Sequence, residues 1–171
     1  MPELPEVETV VRDLRPLLVG KTFVSASVYW QKTIATPSAR EFTRQIRGCK
    51  ITALARRGKH LVFHLKTRAT TRAAPTTKYL LVHLRMTGGF SIEPKRAPRD
   101  KHAHVVFQLS DGRTLRFRDP RKFGRVWLTA HSEDVVGGLG PEPLDPEFTP
   151  QAFYVRLIER HRQIKPLLLD Q

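Results

Sequence analysis

The chain has 171 residues, 40% of them hydrophobic, and its 30 Lys+Arg against 16 Asp+Glu leave a formal charge of +14. That length admits one full core with an appendage and excludes a miniprotein dependent on cross-links, while the charge points to a polyanionic partner, nucleic acid ahead of an anionic membrane surface. Cys49 is the only cysteine, which excludes an internal disulfide and a cysteine-cluster zinc site built by these residues alone.

In chain order, the N-terminus is acidic and lacks the apolar stretch of a signal peptide, and no apolar run approaches the roughly 20 residues of a membrane helix. A soluble protein in a reducing cytoplasm is expected. Leu4, Val7, Val10, Val11, Leu14 and Leu17 recur at three- and four-residue steps, which predicts an amphipathic helix from residue 3 to about 18, closing near Gly20. Pro5 fits its first turn, where the missing N–H costs nothing. KTFVSASVYW alternates like a strand. SAREFTRQIRG then sets Ser38 and Glu41 at capping-box spacing, Phe42 and Ile46 on one face and Gly48 as a stop, which reads as a short helix.

The runs CKITALARR, KHLVFHLK, KYLLVHLR, GGFSI, HAHVVFQL, TLRFR and GRVWLT follow as strands, with Asp111-Gly112 a hairpin signal between two of them. So many short strands predict a mainly β chain with flanking helices (α+β), an antiparallel β-sandwich or barrel behind an N-terminal helix. The polar stretch TRATTRAAPTTK at 67–78 reads as a long mobile loop, and residues 131–148, holding Glu133, Asp134, Glu142, Asp145 and Glu147 among glycines and prolines, as a connector. A last helix is predicted from Thr149 and Pro150 to about His161, with Phe153, Leu157 and Ile158 inward.

The chemistry begins at the start of the chain. Methionine before a small residue is commonly removed, and Pro2 then carries a free secondary amine that titrates at about 7.7 to 8.0, against about 10.4 for a lysine. The positive end of the helix beginning there disfavours the ammonium further. A secondary amine that attacks an aldehyde-like sugar carbon gives a charged iminium, an electron sink for elimination. Glu3 and Glu6, one turn apart, are placed for general acid–base work beside it. Two other readings of these residues are open. Acids in a first turn complement the helix dipole in many proteins, and small tautomerases use an N-terminal proline as a base, although there the proline opens a strand.

Seven stretches decide between them: PELPEVET at 2–9, RRGKHL at 56–61, HLRMTGGF at 83–90, KHAHV at 101–105, DPRKFG at 119–124, LGPEPL at 139–144 and IKPLLLD at 164–170. In order and spacing the chain resembles the N-terminal half of the formamidopyrimidine-DNA glycosylase family. Leu4 and the Arg-Met-Thr-Gly turn favour that branch over the related endonuclease VIII branch.

The resemblance implies a base-excision-repair glycosylase and abasic-site lyase that removes oxidised purines. Its nucleophile is Pro2, its acid Glu3 with Glu6 in support, and Lys59 lies at the active site. An enzyme acting on a base inside a duplex must extrude it and fill the hole. Met86, Arg121 and Phe123 match the family's void-filling trio, Arg121 offering its donor fork to the orphan cytosine. His102 matches a phosphate contact, Lys165 lies in a further DNA-contacting segment, and the basic runs 94–101 and 113–125 are expected to add grip. The expected partner is double-stranded DNA carrying an oxidised purine or an abasic site, met by a monomer in the bacterial cytosol.

The resemblance also divides the chain into a catalytic domain at 1–131 and, at 132–171, a connector and first helix. The latter lead toward a helix-two-turn-helix and four-cysteine zinc-finger half that lies outside this sequence. No cofactor is expected within the chain itself. Lyase chemistry at abasic sites is expected to outlast lesion excision, and a catalytically inactive DNA-binding module is the alternative.

Overall fold

A computed structural model of the chain describes residues 2–67, 76–143, 145–158 and 160–169. Helix α1 (Leu4–Leu18) buries Val7, Val11, Leu14 and Leu18, residues spaced i, i+4, i+7 and i+11, as one apolar stripe. That stripe packs on strands β3 (Lys50–Arg57) and β4 (His60–Lys66). Arg15 fastens the helix further by donating from Nε to the Leu54 carbonyl at 2.9 Å. Helix α2 (Ala39–Ile46) starts as predicted, with the Ser38 hydroxyl accepting from the Glu41 N–H, and buries Phe42 and Ile46.

Among the described residues, nine strands form two sheets. Strands β1 (Phe23–Val28), β7 (Ala103–Leu109), β8 (Arg113–Arg118) and β6 (Gly89–Pro94) make an antiparallel sheet in the order β1-β7-β8-β6. Strands β2 (Ile34–Thr36), β9 (Arg125–Thr129), β5 (Thr77–His83), β4 and β3 make the second, in the order β2-β9-β5-β4-β3. Phenylalanines fill the space between the sheets and under α2. Phe23 and Phe107 lie 4.9 Å apart between ring centroids, and Phe63 and Phe117 flank Phe90 at 6.0 and 5.4 Å.

The five-stranded sheet is apolar on both faces, and its sequence shows why. In β4, β5 and β9 the alternate residues Leu61, Phe63, Leu65, Leu80, Val82, Val126 and Leu128 enter the main core. The residues between them, Val62, Leu81 and Trp127, point the other way and pack with Val135, Val136 and Leu139. Residues 133–139, with the one-turn helix α3 (Glu133–Val136) among them, therefore cover the back of the sheet rather than crossing solvent. Each such aliphatic side chain contributes about 1.5–3 kcal/mol of burial when fully enclosed. This second layer explains the nearly unbroken apolar runs in β4 and β5.

Four expectations are amended. β2, preceded by a single 3-10 turn at Gln31–Thr33, pairs parallel to β9, so the sandwich is not wholly antiparallel; three residues are too few for alternation to register. The loop expected at 67–78 lies outside the described residues at 68–75, while Thr77 and Lys78 already belong to β5. At its base, the Thr67 N–H donates to the Thr76 carbonyl at 2.9 Å. The C-terminal helix, α4 (Pro150–Ile158), is shorter than predicted and is followed by α5 (Ile164–Leu169). Ile158 is 58% exposed rather than inward. Phe153 and Leu157, half-buried on α4, instead line a cavity of about 560 Å³ beside Leu4, Arg57 and Gly58.

Candidate active site

The turn between β3 and β4 comes back to the start of α1, and Gly58, at φ +56°, lets the chain reverse there. This brings Lys59 against Glu3, with Nζ 2.6 Å from Oε2. The lysine side chain is largely buried and the glutamate half-exposed, so one oxygen of Glu3 is held while the residue keeps an open side next to Pro2. Glu6 lies one turn on, and its carboxylate accepts the Glu3 N–H at 3.0 Å, fixing the backbone on which Pro2 is mounted.

Two histidines back this group. His60 and His83 face each other across β4 and β5, with ring centroids 4.7 Å apart and edge to face. Burial, then the Arg85 charge, holds His60 down at about 4. Burial, with His60, Arg85 and Lys59 adding to it against an opposing pull from Glu3, also holds His83 at about 4. His83 Nδ1 accepts the Arg85 N–H at 3.0 Å, so the neutral ring carries its proton on Nε2. His83 is thus within electrostatic reach of both Lys59 and Glu3. The sequence reading missed it, because a histidine in a strand-like run carries no distinguishing spacing.

The lowered histidine values predict a pH dependence. Between about pH 4 and 6.5 the unfolded chain binds protons that the folded chain refuses, so stability should fall as pH drops through that window. The loss expected is about 1–3 kcal/mol for the pair. Urea midpoints at pH 7 and pH 5 check this, and a His60→Phe/His83→Phe variant should show a flatter profile.

Glu142 braces the Lys59 turn from the connector. Its Oε1 accepts the Gly58 N–H at 2.5 Å and an Arg57 N–H at 3.2 Å, and its Oε2 lies 2.8 Å from Arg56 Nη1. Burial pushes this carboxyl up, but the Gly58 N–H and the two guanidiniums outweigh it and hold Glu142 below the usual carboxylate range. Arg56 also meets Glu8 of α1 at 3.0 Å. Helix, turn and connector are tied together through this arginine.

Met86, Arg121 and Phe123 gather in two turns. Met86 is 43% exposed in the turn between β5 and β6, and Phe123 is 50% exposed in the loop between β8 and β9. Arg121 lays its guanidinium over the Phe123 ring at 4.9 Å. Arg85 and Lys122, the non-glycine residues with positive φ among those described, sit one in each turn, a backbone state that bulky residues avoid unless their surroundings impose it. His102 is half-buried, its N–H on Asp100 Oδ1 at 2.7 Å, whereas His104 is buried against the Asp119 carbonyl at 2.8 Å.

The cations of the two basic runs differ in what holds them. Arg116 is buried, bonded to the Ala97 and Pro98 carbonyls at 2.7 Å each, and Arg113 and Arg118 pair with Asp111 and Asp100. Lys165 is exposed on α5, two residues before Leu167, which lines the cavity already described. Cys49 is buried, its thiol donating to the Gln45 carbonyl at 3.2 Å.

Fold and site together define a two-sheet sandwich whose N-terminal helix presents a proline and an acid to a lysine-bearing turn. Residues 1–126 match the formamidopyrimidine-DNA glycosylase N-terminal domain, and the chain belongs to that family. The formamidopyrimidine-DNA glycosylase of Protochlamydia amoebophila is 41% identical over 172 residues, and that of Bacillus subtilis 42% identical over 177. Each match takes in 100% of this chain but 59% and 60% of the relative, so the chain spans about three-fifths of the length of these curated relatives. The fold also matches Lactococcus lactis Fpg in complex with abasic-site DNA, at a TM-score of 0.84 and 31% identity, over 99% of this chain and 61% of that one. The same enzyme bound to DNA containing a formamidopyrimidine lesion gives 0.83, also at 31% identity.

Proposed function

We propose that this chain carries the amine chemistry of a DNA glycosylase and abasic-site lyase for oxidised purines, acting in the bacterial cytosol without a cofactor. The observation that carries the reading is the Lys59–Glu3 pair at 2.6 Å, one residue from Pro2. The Lactococcus complexes with abasic-site and formamidopyrimidine DNA support the choice of substrate.

Once Met1 is cleaved, the Pro2 nitrogen attacks C1′ of the lesion nucleotide. The glycosidic bond breaks, the departing base takes a proton, and Glu3 is placed to protonate the ring oxygen as the sugar opens to an iminium. The iminium withdraws electrons from C2′. Removal of a proton there breaks the C3′–O bond and expels the 3′ phosphate, and a second elimination expels the 5′ phosphate. Lys59, a compact point charge, suits a phosphate or a carbonyl of the lesion. Met86, Arg121 and Phe123 are assigned to the hole left in the stack, and His102 and Lys165 to backbone contacts.

The test is borohydride trapping on a duplex with one abasic site, using chain whose intact mass shows Met1 gone. A covalent protein–DNA adduct is expected, and Pro2→Gly should weaken it. No adduct from verified Pro2 termini would overturn the reading and leave a DNA-binding module.

A further inference from the structure

Asp119 is 1% exposed, yet its hydrogen bonds run outward to the two exposed turns. Its Oδ1 accepts the Thr87 hydroxyl at 2.5 Å and the Arg121 N–H at 3.2 Å, and its Oδ2 accepts the Gly124 N–H at 2.6 Å. The Asp119 carbonyl takes the Lys122 N–H at 3.1 Å, and its own N–H donates to the His102 carbonyl at 3.0 Å. A buried carboxylate is costly unless its lone pairs are satisfied, and here three neutral donors satisfy them.

Those donors are informative by their placement. Arg121 and Gly124 bracket the loop that carries Phe123, and Gly124 is seated so closely that a Cβ there would lie 2.4 Å from Phe117 Cζ and 3.1 Å from Asp119 Oδ2. Thr87 belongs to the other turn, directly after Met86, and is itself exposed. Its bond to Asp119 spans 32 residues of sequence and joins the β5–β6 connection to the β8–β9 connection. The Arg121 N–H lies 3.4 Å from the same hydroxyl.

We infer that Asp119 and Thr87 are positioning residues that lock the Met86 tip and the Arg121–Phe123 tip into one rigid wedge for opening the base stack. This rests on the duplex-DNA reading above. Two independent flexible tips would each spend ordering entropy on insertion, whereas a preassembled wedge has already lost it. Arg121 and Gly124, on either side of Phe123, reach Asp119 by backbone donors, so the threonine hydroxyl is the replaceable part of the lock.

Thr87→Val removes that hydroxyl with little change in shape at an exposed position. Borohydride trapping rates are measured on an abasic site in duplex and in single-stranded oligonucleotide, which has no stack to open. The duplex-to-single-strand ratio should fall about tenfold, within the range expected when a contact group is slightly misplaced. Thr87→Ser should restore it, and Met86→Ala should lower the ratio less in the Thr87→Val background than in the parent. Thermal melts of each variant monitor folding. An unchanged ratio, an equal fall on both substrates, or full additivity with Met86→Ala overturns the lock. A parent chain that traps neither substrate overturns the lyase reading itself, and the lock with it.

Discussion

Glu3→Gln should lower release of a formamidopyrimidine base by about 10²- to 10⁴-fold, the span ascribed to a positioned general acid or base, while an adduct at a ready-made abasic site survives. The two substrates differ in what they ask of this carboxyl. Expelling a base from an intact nucleotide requires a proton at the sugar ring oxygen or the base. An abasic deoxyribose already reaches its open aldehyde unaided, and the Pro2 amine can condense with it directly. Lys59→Met should depress both reactions if the ammonium 2.6 Å from Glu3 meets a substrate phosphate or carbonyl as proposed above. Neither change should move the melting temperature much, since a pair with one half-exposed partner is worth about 0–1 kcal/mol. Single-turnover base release and borohydride trapping, run side by side, check the split. Equal loss on both substrates would remove Glu3 from the acid role.

The helix that carries these groups was legible because α1 buries Val7, Val11, Leu14 and Leu18 on a single stripe, which local spacing alone encodes. Lys59 was singled out only through the resemblance of RRGKHL around it to the family's motif, since a lysine in a basic turn by itself reads as solvated. The braces were not legible. Glu142 reaches the Gly58 N–H across 84 residues, and an acid among glycines and prolines looks like a solvated connector until tertiary contacts are seen. Asp119 stands before a proline and reads as a turn former, although burial makes its carboxylate the meeting point of two loops. Arg116 misled in the opposite direction: it sits in a basic run and reads as phosphate grip, but the carbonyls of Ala97 and Pro98 draw it inside. The outer face of the five-stranded sheet left a trace in the unbroken apolar runs of β4 and β5, but no local pattern says that Val136 and Leu139 cover it.

Glu142→Ala should cost about 2–4 kcal/mol, somewhat under the range for breaking a fully buried ion pair because its side chain is 17% exposed. Arg56, at 6% exposed, would keep Glu8 and the Gly58 carbonyl as partners but lose its contact to the connector, and the Gly58 N–H would lose its acceptor. Arg57 would retain only the Leu139 and Gly140 carbonyls among these contacts, at 3.3 and 2.6 Å. The pH dependence has a definite sign. Glu142 is held below the ordinary 4.5, so its stabilisation is complete above that value and is lost as pH falls through its folded pKa. The gap between Glu142→Ala and the parent in urea unfolding should therefore be full at pH 7 and close at acid pH, below the window in which the histidines act. Glu142→Gln, which keeps an acceptor without the charge, should fall between the two. Because Gly58 precedes Lys59, loosening this turn should also slow trapping at Pro2. An Ala variant as stable as the parent at pH 7 would show that the connector, and not this carboxylate, holds the turn.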